Sequence, residues 1–170
     1  GLGNFQYFGK INKDGSTSNV FMPGLINNHG KISSTKNKLV WLEFDKDPRW
    51  DKRVYSIIKI LDTKEKKIIS KSKKTYFSSV DISKNGEKLV ALSNNPNGTQ
   101  SLVFLNVEGC IKTNEINLKN GVYSNVRFSE ENKLIGIKNN NGIKHLFIYS
   151  INKNEFETLF KRDQNIGQPT

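Results

Sequence analysis

Apolar residues along this chain fall in short runs built from Val, Ile, Leu and aromatic side chains. They include Leu39-Val40-Trp41-Leu42, residues 55–61, Leu89-Val90-Ala91-Leu92, Leu102-Val103-Phe104-Leu105, Leu134-Ile135-Gly136-Ile137 and Leu146-Phe147-Ile148-Tyr149. Such runs, bounded by Asn, Gly, Asp and Lys, are strand signals. No window of about eleven residues carries apolar side chains at i, i+3, i+4 and i+7, the spacing of an amphipathic helix. The pattern therefore predicts an all-β chain. Several runs are apolar at consecutive positions instead of alternating, which is expected of strands covered on both faces.

The runs fall in register when the chain is laid on itself. The segment Ser33-Ser34-Thr35-Lys36-Asn37-Lys38-Leu39-Val40-Trp41-Leu42 aligns with Ser83-Lys84-Asn85-Gly86-Glu87-Lys88-Leu89-Val90-Ala91-Leu92. Both align with Ser129-Glu130-Glu131-Asn132-Lys133-Leu134-Ile135-Gly136-Ile137. The offsets are 89 − 39 = 50 and 134 − 89 = 45, close to the roughly 40–50 residues of one four-stranded propeller blade. An insertion over residues 43–53 explains the longer interval. The expected architecture is one partial β-propeller domain over 1–170: a half-blade at 1–26, full antiparallel blades at 33–70, 76–117 and 122–160, and the start of a further blade at 164–170.

Within each unit the plan is a first strand (77–82, 122–128), a polar turn, the Leu-Val/Ile strand, a third apolar strand and a weaker fourth strand (67–70, 113–116, 156–160). In front, Phe5-Gln6-Tyr7-Phe8 and Asn19-Val20-Phe21-Met22, joined through Asn12-Lys13-Asp14-Gly15, read as third and fourth strands. At the other end, Ile166-Gly167-Gln168-Pro169 resembles a blade opening. The Asn85-Gly86 pair reads as a tight turn that supplies positive φ. Closed propellers have about four to eight blades. The chain is thus expected to be part of a longer propeller or to close by association, and open blade faces would favour self-association.

Composition adjusts this picture little. The 170 residues hold 27 Lys and Arg against 16 Asp and Glu, a formal charge of +11, which would draw anionic partners if gathered on one face. The basic residues are spread from Lys10 to Arg162, and the densest runs, Lys64-Glu65-Lys66-Lys67 and Lys71-Ser72-Lys73-Lys74, flank a short strand. Edge-strand lysines also block strand addition. A nucleic-acid partner is therefore an unfavoured alternative. Cys110 is the only cysteine, so no intramolecular disulfide or cysteine zinc cluster is possible. No apolar run approaches the roughly 20 residues of a membrane span, and no leader sequence is expected in the segment.

The turn Ser83-Lys84-Asn85-Gly86, followed by Lys88-Leu89-Val90-Ala91, resembles the Ser-Pro-Asp-Gly-x-x-Ile-Ala-Phe signature of TolB-like, WD-repeat-like bacterial propellers. Lys84 stands at the usual Pro and Asn85 at the usual Asp. The same signature heads blades in the propeller domains of prolyl oligopeptidase-type serine peptidases. A second stretch is similar to a run in large extracytoplasmic bacterial proteins that carry such a propeller: Met22-Pro23-Gly24-Leu25-Ile26, Leu39-Val40-Trp41-Leu42-Glu43-Phe44, Asp47-Pro48-Arg49-Trp50 and Arg53-Val54-Tyr55-Ser56. The resemblance implies a non-catalytic module of a periplasmic or cell-surface protein, its activity lying in other domains or in partners.

Residues 47–55 break the repeat and are expected to form a loop after the second strand of their blade. Loops of that kind often present binding groups. Trp50 beside Arg49 and Arg53 offers a stacking surface, and guanidinium groups suit carboxylate or phosphate. Asp47, Arg49, Trp50, Arg53 and Tyr55 are therefore the candidate partner-binding residues. In the competing structural reading, Asp47 or Asp51 pairs with an Arg while Trp50 packs over a neighbouring blade.

Catalysis and metal binding find little support. His29 and His145 are far apart, and no Gly-x-Ser-x-Gly elbow surrounds any serine. Glu43, Asp45, Asp47 and Asp51 cluster, but Lys46, Arg49, Lys52 and Arg53 interleave with them, so internal ion pairs are expected instead of calcium. Asn97-Gly98-Thr99 fits a glycosylation sequon and also a hairpin tip. No catalytic residue, metal or cofactor is assigned. Three functional classes remain: a scaffold for a protein or glycan, the substrate-gating propeller of a hydrolase whose catalytic domain lies elsewhere, and a basic nucleic-acid binder.

Overall fold

A computed structural model describes residues 7–24, 26, 32–35, 37–47, 49–72 and 75–162, with 47, 50–53, 70–72 and 160–162 described by their backbone alone. Among these residues there is no helix. The apolar runs become strands of three four-stranded antiparallel sheets and one two-stranded hairpin. The hairpin pairs β1 (Phe8–Ile11) with β2 (Thr17–Phe21). Blade 1 orders β3 (Ser33–Ser34), β4 (Lys38–Asp47), β5 (Trp50–Asp62) and β6 (Lys67–Ser72). Blade 2 holds β7 (Tyr76–Ile82), β8 (Lys88–Asn94), β9 (Gln100–Asn106) and β10 (Lys112–Leu118). Blade 3 holds β11 (Val122–Glu130), β12 (Lys133–Asn140), β13 (Ile143–Ser150) and β14 (Glu155–Arg162). This is the all-β partial propeller that the repeats predict.

The consecutive apolar runs are buried on both faces because each blade is sandwiched. Leu89 and Ala91 pack toward blade 1, with Val40, Leu42, Ile58 and Ile60. Val90 and Leu92 pack toward blade 3, with Leu134, Phe147 and Tyr149. A third cluster joins Phe8 and Phe21 of the front hairpin to Trp41, Leu39 and Leu61. Each fully buried aliphatic side chain stabilises the stack by roughly 1.5–3 kcal/mol. The first strands of consecutive blades, β3, β7 and β11, lie against one another.

Three details differ from expectation. The hairpin's strands start at Phe8 and Thr17 instead of Phe5 and Asn19, and Phe5 and Gln6 lie outside the described residues. In the Ser83–Gly86 turn, closed by Gly86 N–H to Ser83 O at 2.9 Å, only Gly86 has positive φ, +77°. Asn85 instead occupies a central turn position and accepts from the Glu87 N–H through its side chain. The Asn97-Gly98-Thr99 tip is a turn of the same build: Gly98 N–H donates to Asn95 O at 3.0 Å, and Asn97 Oδ1 accepts from Thr99.

The third difference is the insertion, which is not a loop. Asp45 pairs with Tyr55, Lys46 with Val54 and Asp47 with Trp50, so β4 and β5 continue past the blade as a two-stranded ribbon closed by the Asp47–Trp50 pair. The proposed opening of a further blade at 164–170 lies outside the described residues.

Candidate functional site

Antiparallel order gives each blade two ends. The turns joining strands one to two and three to four gather at one end, and those joining two to three, with the inter-blade crossings, gather at the other. The sequence-predicted residues belong to this second end, where the ribbon turns. Arg49 is exposed and Tyr55 half-buried there. Asp47, Trp50 and Arg53 are placed by backbone alone, so the predicted pairing of Asp47 or Asp51 with an Arg and the packing of Trp50 lie outside the described side chains. Phe44, on the ribbon, packs its ring against Tyr76 of blade 2 at 5.9 Å.

Glu43, counted among the calcium candidates, has a different task. Its Oε1 accepts from Trp41 Nε1 at 2.9 Å and from the Gly24 backbone N–H at 3.0 Å. Lys59 Nζ lies 3.8 Å from Oε2, and Ile26 forms a lone bridge with Glu43. A Cβ on Gly24 would stand 2.8 Å from Glu43 Oε2. Gly24 and Ile26 thus join Trp41 and Glu43 in one unit that ties the segment after the front hairpin to blade 1. Among the described residues no group of three or more His, Cys, Asp and Glu is placed to hold a metal ion.

Open cavities among the described residues lie at the first end, away from the predicted residues. One, of about 570 Å³, sits between blades 1 and 2 and is bounded by Lys38, Asp62, Glu65, Lys67, Glu87 and Glu108. A second, of about 590 Å³, lies where the first strands meet, bounded by Ser33, Asp81, Lys84, Arg127, Glu130 and Glu131. Asp81 is the hub of the second. One carboxylate oxygen accepts from Ser33 Oγ of blade 1, and the other accepts from the Phe128 N–H of blade 3 at 2.7 Å. Ser33 Oγ also accepts from the Ile82 N–H at 3.2 Å. Burial pushes the Asp81 carboxyl above the ordinary value of 3.8, against the opposing pull of the Ser33 and Phe128 donors and of Arg127.

Because the native value is raised, the ionised form is the less favoured one in the fold. The stability contribution is present below about pH 3.8 and is lost as pH rises through the raised native value. Asp81→Asn keeps an acceptor for Phe128 and a donor for Ser33, so it is expected to preserve stability at neutral pH and to flatten this pH dependence. Asp81→Ala leaves both partners without an acceptor and is expected to cost about 2 kcal/mol. Urea unfolding from pH 4 to pH 8 checks both.

Successive blades are also clamped at the opposite end by a device that pattern reading missed. Ser56 and Gln100 occupy equivalent third-strand positions, each preceding the leucine that pairs with the second-strand leucine (Leu61 with Leu39, Leu105 with Leu89) by the same interval. Ser56 Oγ donates to Phe77 O at 2.8 Å and accepts from Phe77 N–H at 3.0 Å. Gln100 Nε2 donates to Tyr123 O at 3.1 Å, and its Oε1 accepts from Tyr123 N–H at 2.7 Å. Each thereby mimics a strand neighbour for the next blade's first strand. The signal lies in their shared register, since the two residue types have little in common.

Charge also follows the ends. In blades 2 and 3, the first end interleaves Lys84, Lys88, Lys112, Lys133 and Lys153 with Glu87, Glu108, Glu130, Glu131 and Glu155. Lys133 and Glu130 pair at 3.0 Å. The second end carries Lys119, Lys138, Lys144, Lys161 and Arg162, while segments 93–100, 117–124 and 138–145 contain no Asp or Glu. The two ends of these blades thus differ in the carboxylates that accompany their basic residues. His145 is half-buried on β13, between Lys138 and Lys161 in the register. His29 lies outside the described residues.

No family model and no curated protein matches the sequence. Solved structures do match in fold. The β-propeller domain of the Trilobed protease from Pyrococcus furiosus superposes with a TM-score of 0.62 at 13% identity, over 79% of this chain and 44% of that one. TolB from Acinetobacter baumannii gives 0.64 at 11% identity, over 88% and 36%. Pyrococcus horikoshii acylaminoacyl peptidase gives 0.63 at 11%, over 78% and 24%. The chain thus spans less than half the length of each. With its blades, registers and clamps in place, the chain is a partial β-propeller, a fold it shares with TolB and with the propeller domains of these peptidases.

Proposed function

We propose that the chain is a non-catalytic propeller module of a larger extracytoplasmic bacterial protein and holds a protein partner or ligand on an end face. The observation that carries this reading is the contrast between the two ends of one rigid stack. One end has open cavities lined by both acidic and basic side chains. The other has a protruding ribbon and, over blades 2 and 3, Lys119, Lys138 and Lys144, with no Asp or Glu in segments 93–100, 117–124 and 138–145. A frame hydrogen-bonded from blade to blade by Ser56, Asp81 and Gln100 presents such surfaces without reorganisation, and that lowers the entropic cost of binding. Asp47, Arg49, Trp50, Arg53 and Tyr55 fall on the ribbon and remain its candidate contacts. The likeness to acylaminoacyl peptidase supports a second reading, a propeller that gates substrate for a hydrolase domain.

Photocrosslinking side chains placed at Thr99, on the second end, and at Lys153, on the first, test this in the full-length parent in its native cells. A discrete partner captured from either end is the expected result. Capture of a hydrolase domain of the same polypeptide would support the gating reading, and no capture from either end would overturn the scaffold.

A further inference from the structure

The side faces of the blades repeat one row plan. Across the four strands of blade 1 the register runs Ser33, Val40, Ile60, Ile69. In blade 2 it runs Asp81, Val90, Phe104, Asn114. Residues directly opposite one another share a face of the sheet, and these rows lie on the face that meets the next blade. The two central residues and the adjoining pair make a covered apolar quartet: Val40, Leu42, Ile58 and Ile60 under blade 2, then Val90, Leu92, Leu102 and Phe104 under blade 3. The first-strand residue of the row receives the next blade's backbone. Ser33 Oγ accepts from the Ile82 N–H at 3.2 Å, and Asp81 accepts from the Phe128 N–H at 2.7 Å.

Blade 3 keeps the quartet and changes its corners. Its row is Arg127, Ile135, Ile148, Glu157, with Ile137 and Leu146 as the adjoining pair. Ile137 is buried and the other three apolar residues are half-buried, yet none of the four joins a core cluster among the described residues. Arg127 also acts on the Asp81 carboxylate. Its guanidinium has donors and no acceptor, so it cannot receive a backbone N–H as Ser33 and Asp81 do. Lys144 precedes Tyr149 by the interval that separates Ser56 from Leu61 and Gln100 from Leu105, and it too offers donors only. Whatever contacts these two side chains make within the chain, neither position can capture a further blade as blades 1 and 2 capture theirs.

The row is complementary to its own reverse: a cation, two isoleucines and, on the exposed edge strand, an anion. A two-fold axis along the strands, midway between β12 and β13, lays the row on itself. Arg127 then stands over Glu157 of a second copy, Ile135 over its Ile148 and Ile137 over its Leu146, and each contact occurs twice. Such self-complementarity is what a two-fold interface requires, and near-parallel sheets stacked about 10 Å apart are ordinary sandwich packing.

We propose that two copies of this chain associate through the open face of blade 3 about that axis. Four strands wide and eight residues long over β12, β13 and β14, the face has a footprint of roughly 500 Å². That is below the ~800 Å² per partner of a standard interface, so the dimer is weak, with a Kd of about micromolar or above. The face lies on the side of the stack and leaves both ends open, so the dimer is independent of the scaffold reading.

Sedimentation velocity of the whole chain at low salt, over a range of concentrations spanning the micromolar, is expected to show a monomer–dimer equilibrium that stops at the dimer. Arg127→Glu and Glu157→Arg each set like charges over one another and are expected to weaken it about tenfold or more. Mixing the two variants brings opposite charges together again at both contacts. The mixture is expected to associate within about threefold of the unaltered chain. Glu108→Arg, at the first end of blade 2, is expected to change association by less than about twofold. If Arg127→Glu unfolds the chain through Asp81, Glu157→Gln and Glu157→Arg on the exposed edge strand still give a graded loss of about threefold and about tenfold.

A monomer at every concentration, a dimer indifferent to the single variants, or growth beyond the dimer would each overturn the proposal. So would a mixture of two folded variants that associates no better than either alone. Partner capture at Thr99 or Lys153 is unaffected by any of these outcomes, and the scaffold reading is judged by that capture alone.

Discussion

Trp41→Ala is expected to lower unfolding stability by about 3–5 kcal/mol, the usual cost of truncating a large buried aromatic. Trp41 is fully buried, its ring is edge-on to Phe8 at 5.1 Å and 5.5 Å from Phe21, and its indole N–H donates to Glu43. Truncation removes the surface on which the front hairpin packs. It also strips one donor from a carboxylate that holds the Gly24 N–H. A two-stranded hairpin is marginal on its own, so β1 and β2 should lose amide-exchange protection ahead of blades 2 and 3. The urea midpoint measures the global loss, and hydrogen exchange resolved by segment measures its location. Uniform loss of protection across all three blades would mean that Trp41 supports the whole stack and not the hairpin junction.

The registers that make Trp41 central were legible in the sequence. Leu39, Leu89 and Leu134 are fixed by the repeated turn-then-Leu pattern, and that frame places Trp41, Ala91 and Gly136 at one structural position. The strands around them follow from apolar runs whose residues are nearly all buried, such as 89–92 and 102–105. The ribbon was less legible because residues 45–53 carry alternating charges and a proline, features of a turn. They become strand by pairing with each other.

Asp81 and the basic end were not legible at all, for a common reason. Asp81 meets Ser33 and Phe128, 48 and 47 positions away. Lys119, Lys138 and Lys144 come to one end of the blades only because alternate turns of antiparallel blades point the same way. Spacing along the chain does not encode either convergence until strand order and register are fixed.

Gly136→Val should destabilise the blade 2–blade 3 interface by about 3 kcal/mol, near the upper end of ordinary overpacking costs. Gly136 pairs with Phe147, and a Cβ there would stand 2.8 Å from two ring carbons and 3.3 Å from Ser124 O. The ring cannot retreat freely: it lies edge-on to Tyr123 at 5.4 Å and against Phe156 at 5.6 Å, inside the buried cluster between the blades. The register shows the compensation: Ala91 is opposite Val103 where Gly136 is opposite Phe147, so bulk has moved from the second strand to the third. Gly136→Val with Phe147→Val would enlarge the second-strand residue and shrink its third-strand partner, moving the pair in the direction of the Ala91–Val103 pair of blade 2. The double variant is expected to recover part of the loss, a coupling that a double-mutant cycle in urea reads directly. Strict additivity of the two substitutions would mean that Gly136 is required by the backbone near Ser124, and the volume exchange between strands would then not be the reason for glycine at this position.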